Sequence, residues 1–222
     1  MKKFALLIIA VFLSVSIFAQ EEKDEDDKNK FNIGLDIFSD IWADAPDETD
    51  LSTINRGLSV FGMYNYQFGE SNFSFAIGAG ITAHNMYHNA DIYTDTQLDS
   101  TGFMAIDDSI SFKKSKLNLT YLDIPFEFRL KTENKFRLAL GFKLGYLLHK
   151  HNKYKGDVGE FSDVITKTTN VNYLENFRYG PTCRVGYKWF NLMAYYQISK
   201  IFKPDQGPEM APFSVGISLM PF

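Results

Sequence analysis

FRLALGFKLGYLLH, residues Phe136–His149, divides into two sets of alternate residues. One set is Phe136, Leu138, Leu140, Phe142, Leu144, Tyr146 and Leu148. The other is Arg137, Ala139, Gly141, Lys143, Gly145, Leu147 and His149. A repeat of two, not 3.6, predicts a β-strand, because successive side chains on a strand point to opposite faces. Outward along the chain the same period recurs. Phe73, Phe75, Ile77, Ala79, Ile81 and Ala83 alternate with Ser74, Ala76, Gly78, Gly80, Thr82 and His84. Leu122, Ile124, Phe126, Phe128 and Leu130 oppose Asp123, Pro125, Glu127, Arg129 and Lys131, and Phe177–Tyr187 set Arg178, Gly180, Thr182, Arg184 and Gly186 against apolar partners. Weaker versions at 31–42, 55–68, 190–202 and 212–222 bring the count to eight strands.

Tight turns are predicted at Gly69–Asn72, Thr132–Asn134 and Lys188–Trp189, and long connections at 43–54, 88–116, 150–175 and 203–211. Short and long alternate, so all long loops fall at one end of an up-and-down sheet. The expected fold is therefore all-β: an eight-stranded antiparallel up-and-down transmembrane β-barrel with short periplasmic turns and long extracellular loops.

A soluble barrel would also alternate, with its apolar face inward, and volume decides between the two. The interior of a barrel of about eight strands is just filled by side chains. The bulky faces carry too many rings for that space, whereas the other faces hold Gly34, Gly78, Gly80, Gly141, Gly145, Gly180, Gly186 and Gly216. The large residues must point outward, and lipid is the solvent that tolerates so much exposed hydrocarbon.

The lumen then receives Asp36, Asp123, Glu127, Arg129, Lys143 and Arg184, with Arg137 and Lys188 nearer the periplasmic mouth. Buried charges at this density must pair. Asp123 with Lys143 and Glu127 with Arg184 are the expected pairs, and a lumen plugged by them is preferred over a selective channel lined by basic residues. Pro125 removes a ladder donor and predicts a bulge. Trp42, Tyr64, Tyr66, Phe68, Tyr121, Tyr146, Tyr187, Trp189, Phe190, Phe213 and Phe222 suit interfacial girdles. The terminal Phe222 also suits a signal read by barrel-assembly machinery.

Outside the barrel, residues 1–19 read as a cleaved signal peptide: Lys2 and Lys3, the apolar run Phe4–Phe18, then Ala19. That run is shorter than the ~20 residues a spanning helix needs. Residues 20–30 form an acidic flexible leader, and 31–222 the barrel. A formal charge of −4 excludes the basic face of a nucleic-acid binder, and the single Cys183 excludes a disulfide framework or multi-cysteine metal site.

The four histidines, His84, His88, His149 and His151, fall at the loop ends of strands. Rim catalysis on envelope lipids through His149 with Ser162, or His84 with Asp91, is the alternative to a non-enzymatic barrel, and a small-solute pore is the third reading. No metal or cofactor is expected. Asp91, Asp95, Asp99, Asp107 and Asp108 in the second long segment, with Lys150, Lys153 and Lys155 at the start of the third, are candidate loop-binding residues for lipopolysaccharide phosphates bridged by divalent cations.

The segments YLDIPFEFRLKT (121–132), FRLALGFKLGYLLHKHNKYKG (136–156), FRYGPTCRVG (177–186) and GPEMAPFSVGIS (207–218) resemble the PorT-like outer-membrane β-barrel proteins of Bacteroidota. The resemblance implies an outer-membrane location, lipopolysaccharide surroundings and partners among secretion-system proteins, since the family's namesake is a secretion accessory. It carries over no catalytic motif.

Overall fold

The computed structural model describes residues 30–46, 49, 54–107, 110–158 and 161–220. The signal peptide, nearly all of the leader, Asp108, Pro221 and Phe222 lie outside these residues. Eleven strands are present: β1 (Phe31–Ala43), β2 (Asn55–Gln67), β3 (Phe73–Tyr87), β4 (Ala90–Asp95), β5 (Ser100–Ala105), β6 (Phe112–Lys131), β7 (Phe136–Val158), β8 (Phe161–Thr168), β9 (Phe177–Tyr187), β10 (Phe190–Tyr196) and β11 (Ala211–Leu219). Eight of them, β1, β2, β3, β6, β7, β9, β10 and β11, pair antiparallel with their neighbours, and β11 pairs back onto β1. The barrel is closed and has no free edge within the wall.

The strand boundaries differ from the sequence reading in three ways. β6 and β7 extend well past the predicted strands, to 20 and 23 residues. The added end of β7 is polar on both faces and carries no apolar alternation, whereas upper β6 sets buried Leu117, Leu119 and Tyr121 against outward Lys116, Asn118 and Thr120. The long segments also contain strands: β4 and β5 form a separate hairpin, and β8 pairs with the far end of β7. β10 stops at Tyr196, short of residue 202.

The β6–β7 turn sits one residue later than predicted. The Thr132 amide donates to the Phe136 carbonyl at 2.9 Å, so the loop is Glu133–Lys135, with Lys135 in the left-handed region at φ 63°. Moving a turn by one residue moves the strand register by two. Asp123 therefore lies opposite Gly145, and Lys143 lies opposite Pro125.

Pro125 makes no bulge. The β3–β6 ladder omits its pair but keeps one register on both sides, Ile77 opposite Phe126 and Gly80 opposite Asp123. The register shift of the lipid-facing region lies instead between Thr120 and Tyr121, where β7 gains Leu148. From there on the faces of β7 exchange parity.

The outward face is apolar: Ile33, Ile37, Val60, Ile77, Ile81, Leu122, Ile124, Leu140, Leu144 and Leu192 are all exposed. Aromatic rings crowd the short-turn end, with Phe31 opposite Tyr64 and both Phe136 and Phe190 opposite Tyr187. Trp42 and Tyr121 do not join a girdle. Both are buried inside, in the same alternate sets as Asp40 and Asp123 respectively.

The inward face is spaced by glycine. Phe38 and Phe61 point into the lumen, and each ring covers a cross-strand glycine, Gly57 and Gly34. At Gly145 the neighbour is charged: a Cβ there would meet Asp123 Oδ1 and the Arg178 side chain. We expect Gly145→Val to destabilise the barrel by several kcal/mol, since it forces apart a buried ion pair. Gly69→Ala, at φ 58° in open space, should cost only about 1 kcal/mol through its backbone. Urea unfolding from lipid vesicles would rank the two.

Candidate functional site: the lumen and its mouth

Two ion-pair chains fill the middle of the barrel. In the first, near the short-turn end, Glu127 accepts hydrogen bonds from Arg129 Nε (2.9 Å) and from Arg184, and Arg184 Nη2 also donates to Asp36 at 2.8 Å. In the second, Arg178 forks onto Asp123, Nε to Oδ1 at 3.1 Å and Nη2 to Oδ2 at 2.7 Å. Such a two-point pair is the strongest charge-assisted geometry available to these groups. The Thr82 hydroxyl bonds the same Asp123 Oδ2, and Lys143 stands 3.9 Å away.

The register explains the second chain. Asp123, Gly145 and Arg178 lie directly opposite one another on β6, β7 and β9, with the glycine in the middle. Lys143 instead spends its charge over the Tyr195 ring, 3.8 Å from the centroid, while the Arg178 guanidinium stacks 3.9 Å over Tyr121.

His84 extends the chain to β1. Its Nδ1 is 2.7 Å from Asp40 Oδ2, and Arg178 Nη1 donates to its Nε2. Arginine cannot accept, so Nε2 carries no proton and the imidazole is the neutral Nδ1–H tautomer. The other Asp40 oxygen accepts from Ser214 at 2.6 Å. His84 is thus a fully engaged lumen residue and not a rim base, and it has no hydrogen bond with Asp91. Alternation put Arg178 and Asp40 on the lumen face, since they lie six residues before Arg184 and four after Asp36. Neither was singled out as a site residue from sequence.

Above the ion pairs the mouth is apolar. Trp42, Met86, Leu117, Leu119, Tyr121 and Leu147 from the wall pack with Phe103 of the β4–β5 hairpin and with Val171, Leu174, Ile201, Phe202 and Met210 of the other long loops. The hairpin is held by backbone bonds as well, including Thr101 N to Gln206 O at 2.9 Å. His88, at the hairpin's base, packs edge-on against Phe103, and its Nδ1 accepts from the Ala90 amide at 3.3 Å. Burial pulls the His88 imidazole down to about 4.

The candidate loop residues do not form one site. Asp95 is used locally, accepting from the amides of Gln97 and Leu98. Asp91 lines an open groove of about 930 Å³ with Met104, Asp107, Ile110, Tyr154 and Asp157, beside the inward face of β6–β8. Lys153 and Lys155 alternate with the buried Asn152 and with Gly156, so they lie on the opposite, outward face. Lys150 is opposite buried Leu119 at the mouth. Lys188 is exposed in its turn, outside the lumen. His149 lies beside His151, their ring centroids 5.3 Å apart and the planes tilted by 47°. Among the described residues no group of three or more His, Cys, Asp or Glu is placed to hold a metal.

A closed, lipid-faced barrel with a charged interior and loops gathered at one end defines a bacterial outer-membrane β-barrel. Residues 18–203 match the family described as outer membrane protein beta-barrel domain, and the chain belongs to that family. The match ends before β11, the strand that closes the wall. No curated protein matched the chain.

Arg178→Met alone should destabilise the barrel by about 3–5 kcal/mol, because Asp123 is left buried and unpaired. Combining it with Asp123→Leu should restore part of that loss, giving a coupling measurable by a double-mutant cycle of unfolding in vesicles. The mouth should respond to pH. His88 is neutral when folded and titrates near 6.5 when released, so its contribution is complete above about pH 6.5 and lost as pH falls towards 4. The full effect is on the order of 3 kcal/mol. Hydrogen exchange in Ala90–Ala105 should rise over that window, and His88→Phe should remove the dependence.

Proposed function

We propose that this protein is a non-conducting, non-enzymatic envelope scaffold that presents its capped extracellular end to a partner. The observation that carries the reading is the double seal: paired charges through the lumen, and an apolar cluster from four long connections over its mouth. A conducting pore needs a water-filled path lined by unspent charge. The charges here are bonded to one another. A rim enzyme needs a base beside a nucleophile. His84 is committed at both nitrogens, and His149 faces another imidazole.

The partners that fit this reading are lipopolysaccharide around the wall and envelope proteins above it. The resemblance to PorT-like proteins narrows the latter to a secretion-accessory role. Entry into the membrane would use the barrel-assembly machinery.

Planar-bilayer recordings of the refolded chain should show no stable channel, and liposomes carrying it should not swell in small sugars. Affinity capture from native outer membranes should return a reproducible secretion-system protein. Replacing Ala90–Ala105 by a short turn should abolish that capture while leaving the heat-modifiable barrel intact. Steady solute flux through the intact chain would refute the reading.

A further inference from the structure

The outward face of the β6–β8 extension carries lysines in register. Lys116 on β6 lies directly opposite Lys153 on β7, which lies directly opposite Lys167 on β8. One step further out, Lys114 lies opposite Lys155. Adjacent strands stand about 4.8 Å apart, so the first row places three ammonium stems within about 10 Å of strand backbone. Like charges directly opposite on a sheet repel.

Nothing in the described protein neutralises this face. None of these five lysines makes an ion pair. The nearby acid, Asp163, is held by Lys113 at 2.8 Å and feels Lys155 only at longer range. What the lysines do touch is uncharged: Lys116 donates to Asn85 Oδ1, and Lys114 and Lys116 lie 5.0 and 5.6 Å from the Tyr87 ring centroid. Partial burial, then Lys114 and Lys153, hold the Lys116 ammonium below the usual lysine range. Below the lysines the same outward face carries His149 and His151 on β7 and Thr120 on β6, then the lipid-facing Leu148 and Leu122. Five residues separate Leu148 from Lys153, about 16 Å of tilted strand. A lysine stem can reach part of the way back.

We propose that this row is a docking surface for the phosphate-bearing headgroups of outer-leaflet lipid, bound directly by Lys116, Lys153 and Lys167 with Lys114 and Lys155 as a second rank. It rests on the reading that the long-loop end faces outward from the outer membrane. Asp91 and Asp107 line the groove on the other side of the sheet, and Asp157, next on the lysine face, accepts from the Asp163 amide, so no acidic cluster stands beside the lysines to hold a bridging cation. A surface on the outer wall, just above the apolar band and facing away from the lumen, meets lipid before any soluble anion. The polar collar of histidine, threonine and asparagine suits the zone between acyl chains and phosphate.

The test uses the full mature chain in phosphatidylcholine nanodiscs, titrated with lipid A carrying both phosphates and with the same lipid dephosphorylated. The wild type should bind the phosphorylated form at least tenfold more tightly. The triple variant Lys116→Gln/Lys153→Gln/Lys167→Gln should lose that preference, and the triple arginine variant should keep it. Without lipid A the glutamine variant should melt no lower than the wild type, since it removes repulsion, so lost binding is not lost folding. Equal binding of both lipids by the wild type, or an unchanged preference in the glutamine variant, overturns the proposal. So does displacement of the lipid by millimolar inorganic phosphate, which would mark a free-anion site. Channel recordings on the same samples report on the sealed lumen independently, so either reading can fail while the other stands.

Discussion

One cross-strand triplet organises the interior: Asp123, Gly145 and Arg178, level on three adjacent strands. An eight-stranded barrel has room for one layer of side chains and no more. At this level the pair spans the middle strand because the residue between its members has no side chain. The glycine is thus fixed by the ion pair and the ion pair by the register. The same logic, with rings in place of charges, sets Phe61 over Gly34 and Phe38 over Gly57. Once these inward contacts are made, every alternate residue must face lipid. The apolar exterior follows from the packed interior as much as from the solvent around it.

Most of this was legible in the sequence, because lipid and lumen impose opposite chemistries on alternate residues. Phe136–Leu148 shows the limit case, with no exception on its outward side. The reading weakened wherever that contrast ceased. Past His149 both faces of β7 are polar, and HNKYKGD carries no apolar alternation, so nine residues of regular strand, 150–158, read as loop. β4, β5 and β8 were lost for the same reason. The errors within the membrane-facing part have a different source. Trp42 and Tyr121 were placed by residue type when their own strands' parity already put them inside. Register was misjudged at one turn, where a Thr132 hydrogen bond, not composition, sets the loop at Glu133–Lys135. That one-residue shift sets Gly145, not Lys143, level with Asp123; Lys143 still lies within ion-pairing distance of Asp123, Arg178 is its closer partner, and Glu127 and Arg184, expected as partners, are in contact.

The molecule divides by height into parts governed by different physics. The lower lumen is held by charge-assisted hydrogen bonds, which are directional and tolerate little movement. The mouth is held by apolar packing among segments distant in sequence, from Trp42 to Met210. Apolar contacts are individually weak and non-directional, so the cap can loosen without disturbing the wall. His88 sits in the cap and not in the wall, which confines its protonation to the loops.

An interior whose charges are paired with one another also constrains where function can reside. Charges consumed by mutual pairing cannot attract a solute, and a histidine bonded at both nitrogens cannot take a proton from a substrate. What remains uncommitted is on the outside: the groove beside Tyr154, the lysines of the β6–β8 extension, and the surface of the cap. A barrel needs none of these to be stable in lipid. Strands that continue some ten residues beyond the membrane cost backbone entropy. In β6–β8 they also align like charges that repel one another. That arrangement is unfavourable in itself, and a bound anion would relieve it, which is the physical basis of the docking surface proposed above.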